Sequence, residues 1–266
     1  MTVRAATDDP SAKEVVEVTN PSGAGQFLVV CEHASRFIPA EFGDLGLDDA
    51  ALNSHIAWDP GALAVAEAMS SLLDAPLVVQ RVSRLLYDCN RPPEAETAVP
   101  AVSEATRVPG NAGLSAADRQ ARAERFYAPF RDTLAACIGR RVENGRAPVI
   151  ITVHSFTPVY LGVRRETALG ILHDTDARFA DALLEATKAG TALVIHRNQP
   201  YGPQDGVTHT LVEHAVSRGL LNVMLEIRND LIGDSASQAA MARWLSRCLA
   251  EALAALTDRS GGREIA

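Results

Sequence analysis

The sequence predicts an α/β fold, a three-layer α/β/α domain with a mainly parallel or mixed central sheet, and two observations carry that reading. Short apolar runs recur along the chain as unbroken stretches rather than as alternating ones, the pattern of strands covered on both faces. Between them stand longer segments with helix start and stop signals. Strand–helix alternation over most of a chain points to helices layered on both sides of a sheet.

The candidate strands, in order, are Phe27–Cys31, Leu77–Arg81, Val149–Val153, Ala168–Leu172, Leu193–His196 and Val223–Ile227. Asp59-Pro60-Gly61 reads as the start of a helix running through Leu73, with Asp as N-cap and Pro at the first helical position. Ser115 to Asp118 has the form of a capping box and opens a long helix ending near Asn144-Gly145. A last amphipathic helix spans Ser235 to about Leu256. Pro92 to Gly113 holds four prolines without periodicity and reads as a surface loop. Residues 1–25 form a polar N-terminal segment, and residues 26–260 a single domain, with no internal repeat.

Composition narrows the function. In 266 residues the formal charge is −8, which disfavours a phosphate-backbone binder, so no nucleic-acid partner is expected. Hydrophobic residues at 47% and charged residues at 22% exclude disorder and disulfide-scaffold classes. Lys13 and Lys188 are the only lysines, so arginine supplies nearly all the positive charge; a codon bias accounts for this. No apolar run approaches the ~18 residues of a membrane span, and the N-terminus has no hydrophobic signal core. Cys31, Cys89, Cys137 and Cys248 form no CxxC pair and read as reduced thiols of a soluble cytoplasmic protein.

In open α/β sheets ligands sit beyond the carboxyl ends of the strands, and polar residues gather there in this chain. The first strand runs into Glu32-His33, the third into His154-Ser155, and the last carries Glu226 and Arg228; Ser83 to Arg91 follows the second and includes Arg84, Asn90 and Arg91. Two histidines and a carboxylate at one sheet edge suit a catalytic zinc, which takes three protein ligands and keeps one open position. Glu226, emerging from the apolar run Val223–Leu225, either serves as general base and acid or pairs with Arg228 on the same strand face. The arginines either clamp a carboxylate or form ion pairs with Asp88.

Taken together, CEHASRFIP, HIAWDPGA, SRLLYDCNRPP, VHSF and LEIRNDL, in that order between residue 27 and about 232, resemble the N-formylglutamate amidohydrolase family. That family is similar to zinc carboxypeptidases and aspartoacylases, which implies a phosphorylase/hydrolase-like fold and metal-assisted attack of water on an amide carbonyl. The resemblance makes His33 and His154 metal ligands for Zn2+ and leaves the third ligand between Asp59, which is preferred, and Glu32. The carboxypeptidase spacing of His followed three residues later by Glu is absent, Arg36 standing there. The resemblance further implies Glu226 as general acid/base, Arg84 as the residue polarising the scissile carbonyl, and Asn90 with Arg91 as the clamp on a substrate carboxylate. Arg228 supports Glu226 or adds to the anion site.

The expected partner is therefore a small anionic acyl-amino acid, N-formylglutamate in the family. Another acyl-amino acid or small peptide is an alternative, since the first motif lacks the Pro that usually precedes its histidine. So is a non-catalytic binder of an anionic small molecule. Other polar clusters carry less. His209 and His214 are five apart, off the i, i+4 face of helical metal motifs, and Ser155 lacks a nucleophile elbow. Arg119, Arg122, Arg125 and Arg131 read as a solvated helix face balanced by acids.

Overall fold

The unbroken apolar runs become strands covered on both faces, except Leu193–His196, which gives a partly buried edge strand. The computed structural model describes residues 15–189 and 191–261. The chain forms β1 (Val16–Thr19), β2 (Phe27–Cys31) and β3 (Leu77–Gln80), then a hairpin of β4 (Val102–Ser103) and β5 (Thr106–Arg107). β6 (Val149–Phe156) precedes a second hairpin, β7 (Val159–Tyr160) and β8 (Val163–Arg164), followed by β9 (Leu169–Leu172), β10 (Ile195–Arg197) and β11 (Asn222–Arg228). Seven strands make the central sheet in the order β1-β3-β2-β6-β11-β9-β10. β3, β2, β6 and β11 are parallel, β1 is antiparallel to β3, and β9 is antiparallel to β11 with β10 parallel beside it. The sheet is therefore mixed.

The helices are α1 (Asp49–Asn53), α2 (Ala62–Leu72), α3 (Ala116–Arg122), α4 (Ala128–Glu143), α5 (Arg178–Ala186), α6 (His209–His214) and α7 (Ser235–Gly261). Strand alternation divides the interior between two layers. Val29, Ile151, Val153, Leu225 and Ile227 pack with α2, α5 and α7. Leu28, Val30 and Ile150 pack with Phe130, Leu134 and Ile138 of α4. The two-residue period then puts Thr152, His154 and Glu226 on the α4 side of the sheet. Among the described residues no helix is long and apolar enough to cross a membrane.

Several elements differ from the sequence expectation. β1 lies inside the stretch read as a polar entry, the first 14 residues of which fall outside the described region. Val16 and Val18 are half-buried between exposed Glu17 and Thr19, so this edge strand alternates and escapes a search for unbroken runs. The long helix starts on its capping box as expected, Ser115 Oγ accepting from the Asp118 N–H at 3.1 Å. It then passes through one π turn, Ala123–Tyr127, just ahead of Pro129. Proline cannot donate to the preceding turn, and the wider turn absorbs that break without ending the helix. Pro92–Gly113 is more ordered than a plain loop. Arg119 donates to the carbonyls of Ala95, Glu96 and Val99, and buried Arg122 holds Asn111 at 2.6 Å. Those two arginines staple the segment instead of facing solvent.

α2 begins at Ala62, with Gly61 in the left-handed region (φ +81°) at the cap. Asp59 is thus not the N-cap; its backbone carbonyl accepts from the Ala62 N–H, leaving the carboxylate free. A Cβ on Gly61 would meet the Ile232 carbonyl oxygen at 2.5 Å, so both the turn and the neighbouring loop require glycine. Gly61→Ala should cost about 2 kcal/mol or more, the left-handed penalty adding to the clash. Urea unfolding checks this as a lower midpoint at unchanged slope.

Candidate active site

The four parallel strands deliver their carboxyl ends to one edge, and the polar residues singled out in the sequence converge there. His33 lies two residues beyond β2, and its carbonyl accepts from the Asp59 N–H at 2.9 Å. The segment ahead of α2 is tied at two more points: Ser83 Oγ donates to the Ala57 carbonyl and Ser155 Oγ to the Pro60 carbonyl, both at 2.8 Å. Asp59 is thereby anchored to the ends of β2, β3 and β6 at once. The Ser155 hydroxyl is thereby engaged by backbone.

His33 Nδ1, His154 Nδ1 and Asp59 Oδ2 meet at a point, separated by 3.2, 3.0 and 3.3 Å. All three residues are buried. Donors bound tetrahedrally to one zinc stand about 3.3 Å apart, so the spacing fits a single ion. Three lone-pair atoms this close repel unless a proton or a cation lies among them. Behind them, Asp88 Oδ1 is 2.7 Å from His33 Nε2 and Glu32 Oε2 is 3.2 Å from His154 Nε2. The Asp88 hydrogen bond holds the His33 proton on Nε2 and turns its Nδ1 lone pair inward, the arrangement that supports a metal-ligating histidine, while Glu32 faces His154 as a charge partner without a hydrogen bond among the described residues. Asp59, rather than Glu32, therefore stands with the two histidines, and this buried group could hold a metal ion.

The electrostatics follow from the crowding of acids. Burial penalises the carboxylates of Asp59 and Asp88, yet His33 and Arg84 hold both well below the usual range. Burial also works against a charged His154, but Glu32 and Asp59 outweigh it and raise its pKa well above the ordinary value. Glu226 is the exception. Burial, reinforced by Asp59, pushes its carboxyl up to about 7 against the pull of His154, His33 and Arg84. Its Oε2 is buried without a hydrogen-bond partner among the described residues. It stands in register with His154 across the β6–β11 pair, on the same face.

A cavity of about 200 Å³ opens over this group, lined by His33, Asp59, Arg84, Arg91, His154 and Glu226 among others. That is below the ~300–1,000 Å³ of drug-sized pockets and suits a molecule of amino-acid size.

Three expected site residues take other tasks. Arg84 reaches the cavity, but its fork is spent on Asp59 Oδ1 at 3.3 Å and Asp88 Oδ2 at 2.7 Å. Asn90 lines the cavity while its amide group is engaged by backbone, donating to the Val207 carbonyl and accepting from the Thr210 N–H at 3.0 Å. It holds the 207–210 segment more than it offers a clamp. Arg228 does not pair with Glu226. It binds Asp230 at 2.8 Å and the carbonyls of Arg165 and Glu166, outside the cavity lining. Arg91 is at the wall, donating to the Asn90 carbonyl at 2.8 Å. Asp88 was legible only as an arginine partner, because its contact with His33 joins residues 55 apart. His209 bonds the Tyr127 hydroxyl at 2.8 Å, and neither it nor His214 enters the donor group.

Comparison with known proteins identifies the family. The family model for N-formylglutamate amidohydrolase matches residues 25–233. The chain belongs to that family. The crystal structure of a gene product from Agrobacterium tumefaciens is 52% identical, with a TM-score of 0.91 over 92% of this chain and 97% of that one. N-formylglutamate amidohydrolase from Ralstonia eutropha shares the fold at 18% identity, TM-score 0.65, over 92% of this chain and 98% of its own. No curated protein matches. The matched residues thus include the donor group and the residues lining the cavity.

Asp59→Ala should abolish tight divalent-metal binding, whereas Glu32→Gln should weaken it only about 10–100-fold. Titration calorimetry with zinc on the two variants separates a ligand from a supporting carboxylate. Equal losses would remove the distinction.

Proposed function

We propose that this protein hydrolyses the amide bond of an N-acyl acidic amino acid, with N-formylglutamate the first substrate to try, and that His33, Asp59 and His154 hold a zinc ion. The observation that carries the reading is Glu226: a buried carboxyl with a free oxygen, in register with His154 in the same cavity. Held there, zinc would lower the pKa of a bound water and polarise the substrate carbonyl. The donor set supports zinc because imidazole nitrogens and one carboxylate oxygen are the ligands catalytic zinc takes, as in the carboxypeptidase-like enzymes this chain resembles.

The chain's own residues supply the remaining chemistry. Glu226 accepts a proton from the attacking water and passes it to the leaving amide nitrogen, so that formate and a free amino acid result. Burial raises the proton affinity of the Glu226 carboxyl, which favours a group that must take and return a proton. Arg91 lines the cavity without an ion pair to the buried acids among the described residues, although its charge helps keep Asp88 ionised, and it meets the substrate carboxylate as a bidentate fork.

Glu226→Gln should lower kcat by about 10²–10⁴-fold with zinc content unchanged. Metal analysis and steady-state kinetics on one preparation check both. Full turnover by rigorously metal-free protein would exclude the zinc role, and a preference for a neutral N-formyl amide over N-formylglutamate would exclude Arg91 as the clamp.

Glu226 also sets a pH signature in the metal-free protein. Its folded pKa of about 7 lies above the ordinary 4.5, so the folded state binds the extra proton and loses stability as pH rises between these values. Removing the charge with Glu226→Gln should therefore stabilise the metal-free protein at pH 8 relative to pH 5, by roughly 1–3 kcal/mol. Denaturant unfolding at the two pH values reads the difference.

A further inference from the structure

Arg84 is committed to Asp59 and Asp88, so the substrate carbonyl oxygen, which zinc would polarise, has no hydrogen-bond donor assigned to it from the chain itself. The backbone beside Glu226 supplies a candidate. Gly170 on β9 is the antiparallel register partner of Glu226, and a Cβ there would come within 2.0 Å of the Gln199 carbonyl oxygen. With no side chain at 170, the segment after β10 lies directly on the sheet next to Glu226 and brings Tyr201 to the cavity wall. The ring packs against Leu172, Val207, Leu211 and Met224. Arg165 stands over its face, the guanidinium carbon 4.8 Å from the ring centre, and is itself held by Tyr160 at 4.4 Å and Phe156 at 5.5 Å.

We infer that Tyr201 is a further catalytic residue, its phenol O–H donating a hydrogen bond to the scissile carbonyl oxygen in the transition state, and that Arg165 is a positioning residue for its ring. This rests on the amide-hydrolysis reading above. As water adds to the carbonyl carbon, the carbonyl π pair moves onto oxygen, where a fixed donor stabilises it without giving up its proton. When the C–N bond breaks, the carbonyl re-forms and the leaving nitrogen takes its proton from Glu226. Burial, with Glu226 adding to it and Arg165 and Arg84 opposing, raises the phenol's pKa, which favours the neutral donor form. Cation–π contact with Arg165 fixes the ring before substrate arrives, and a donor that needs no reorganisation contributes most to the rate.

The test uses the metal-loaded protein and whichever N-acyl amino acid the wild type hydrolyses best in a panel led by N-formylglutamate. Tyr201→Phe, which keeps the ring and its packing, should lower kcat about 10²-fold, with KM within threefold and zinc content unchanged. Arg165→Met should lower kcat less, and the double variant should be no slower than Tyr201→Phe alone, because Arg165 acts through that hydroxyl. A change in kcat below threefold in Tyr201→Phe, or a loss confined to KM, overturns the assignment. Additive losses in the double variant overturn the role of Arg165. If the wild type turns over another acyl-amino acid but not N-formylglutamate, the substrate reading fails while the Tyr201 comparison still decides on the accepted substrate. No turnover of any N-acyl amino acid overturns both.

Discussion

The convergence of two imidazole nitrogens on one buried carboxylate oxygen is the constraint that the rest of this protein accommodates. Glu32, Asp59, Asp88 and Glu226 are all buried around it, and among the described residues Arg84 is the guanidinium ion-paired into the cluster. Burying unpaired charge is costly enough that a group shifts its protonation instead. The shifts found here are that response: His154 holds its proton and Glu226 regains one near neutrality, while Asp59 and Asp88 stay ionised against their partners. A divalent cation among the three donors would relieve the same imbalance without needing the protons. The site is therefore built for positive charge at one point, and its acids cannot be interpreted one at a time.

Holding that point demands rigidity from elements that share no sequence proximity. The Asp59 turn is bonded to residues following β2 and β3 and to the end of β6, so it moves only if three strand ends move. Those strands are buried on both faces, and their packed side chains divide between two helical layers. Gly61 and Gly170 serve the same end by omission: one lets the turn close against Ile232, the other lets the Gln199 backbone lie on the sheet. Fold stability and site geometry are in this sense one problem. The strands that make the core also end as the ligands.

The sequence shows its buried strands plainly because continuous apolar runs have few other uses, and any polar residue within them stands out. His154 and Glu226 were visible for that reason, and His33 because it follows such a run. Asp59 was ambiguous, since Asp-Pro-Gly before a helix is as good an N-cap as a ligand; only the backbone shows Gly61 at the cap. Arg228 misled because two residues' separation on a strand guarantees a shared face but not contact; Asp230 and two carbonyls outcompete Glu226 for it. Asn90 misled differently, its spacing to the arginines saying nothing of a backbone 117 residues away. Tyr201 left no periodic or motif signal. Its placement depends on Gly170, and such a coupling is invisible without the fold.

Net charge argues against a nucleic-acid partner but says little about the pocket. At −8 the surface offers little to nucleic acid, and the buried acids would seem to make the cavity still less hospitable to an anion. The arginines divide the labour. Arg84, bound to Asp59 and Asp88, cancels charge inside the cluster and has little left for a ligand. Arg91 bonds only a neutral carbonyl among the contacts of its guanidinium described here, and it faces the cavity. On the proposed reading a substrate carboxylate pairs with Arg91 while Arg84 stays with the acids, so selection would turn on the position of one guanidinium, a property that no count of charges contains.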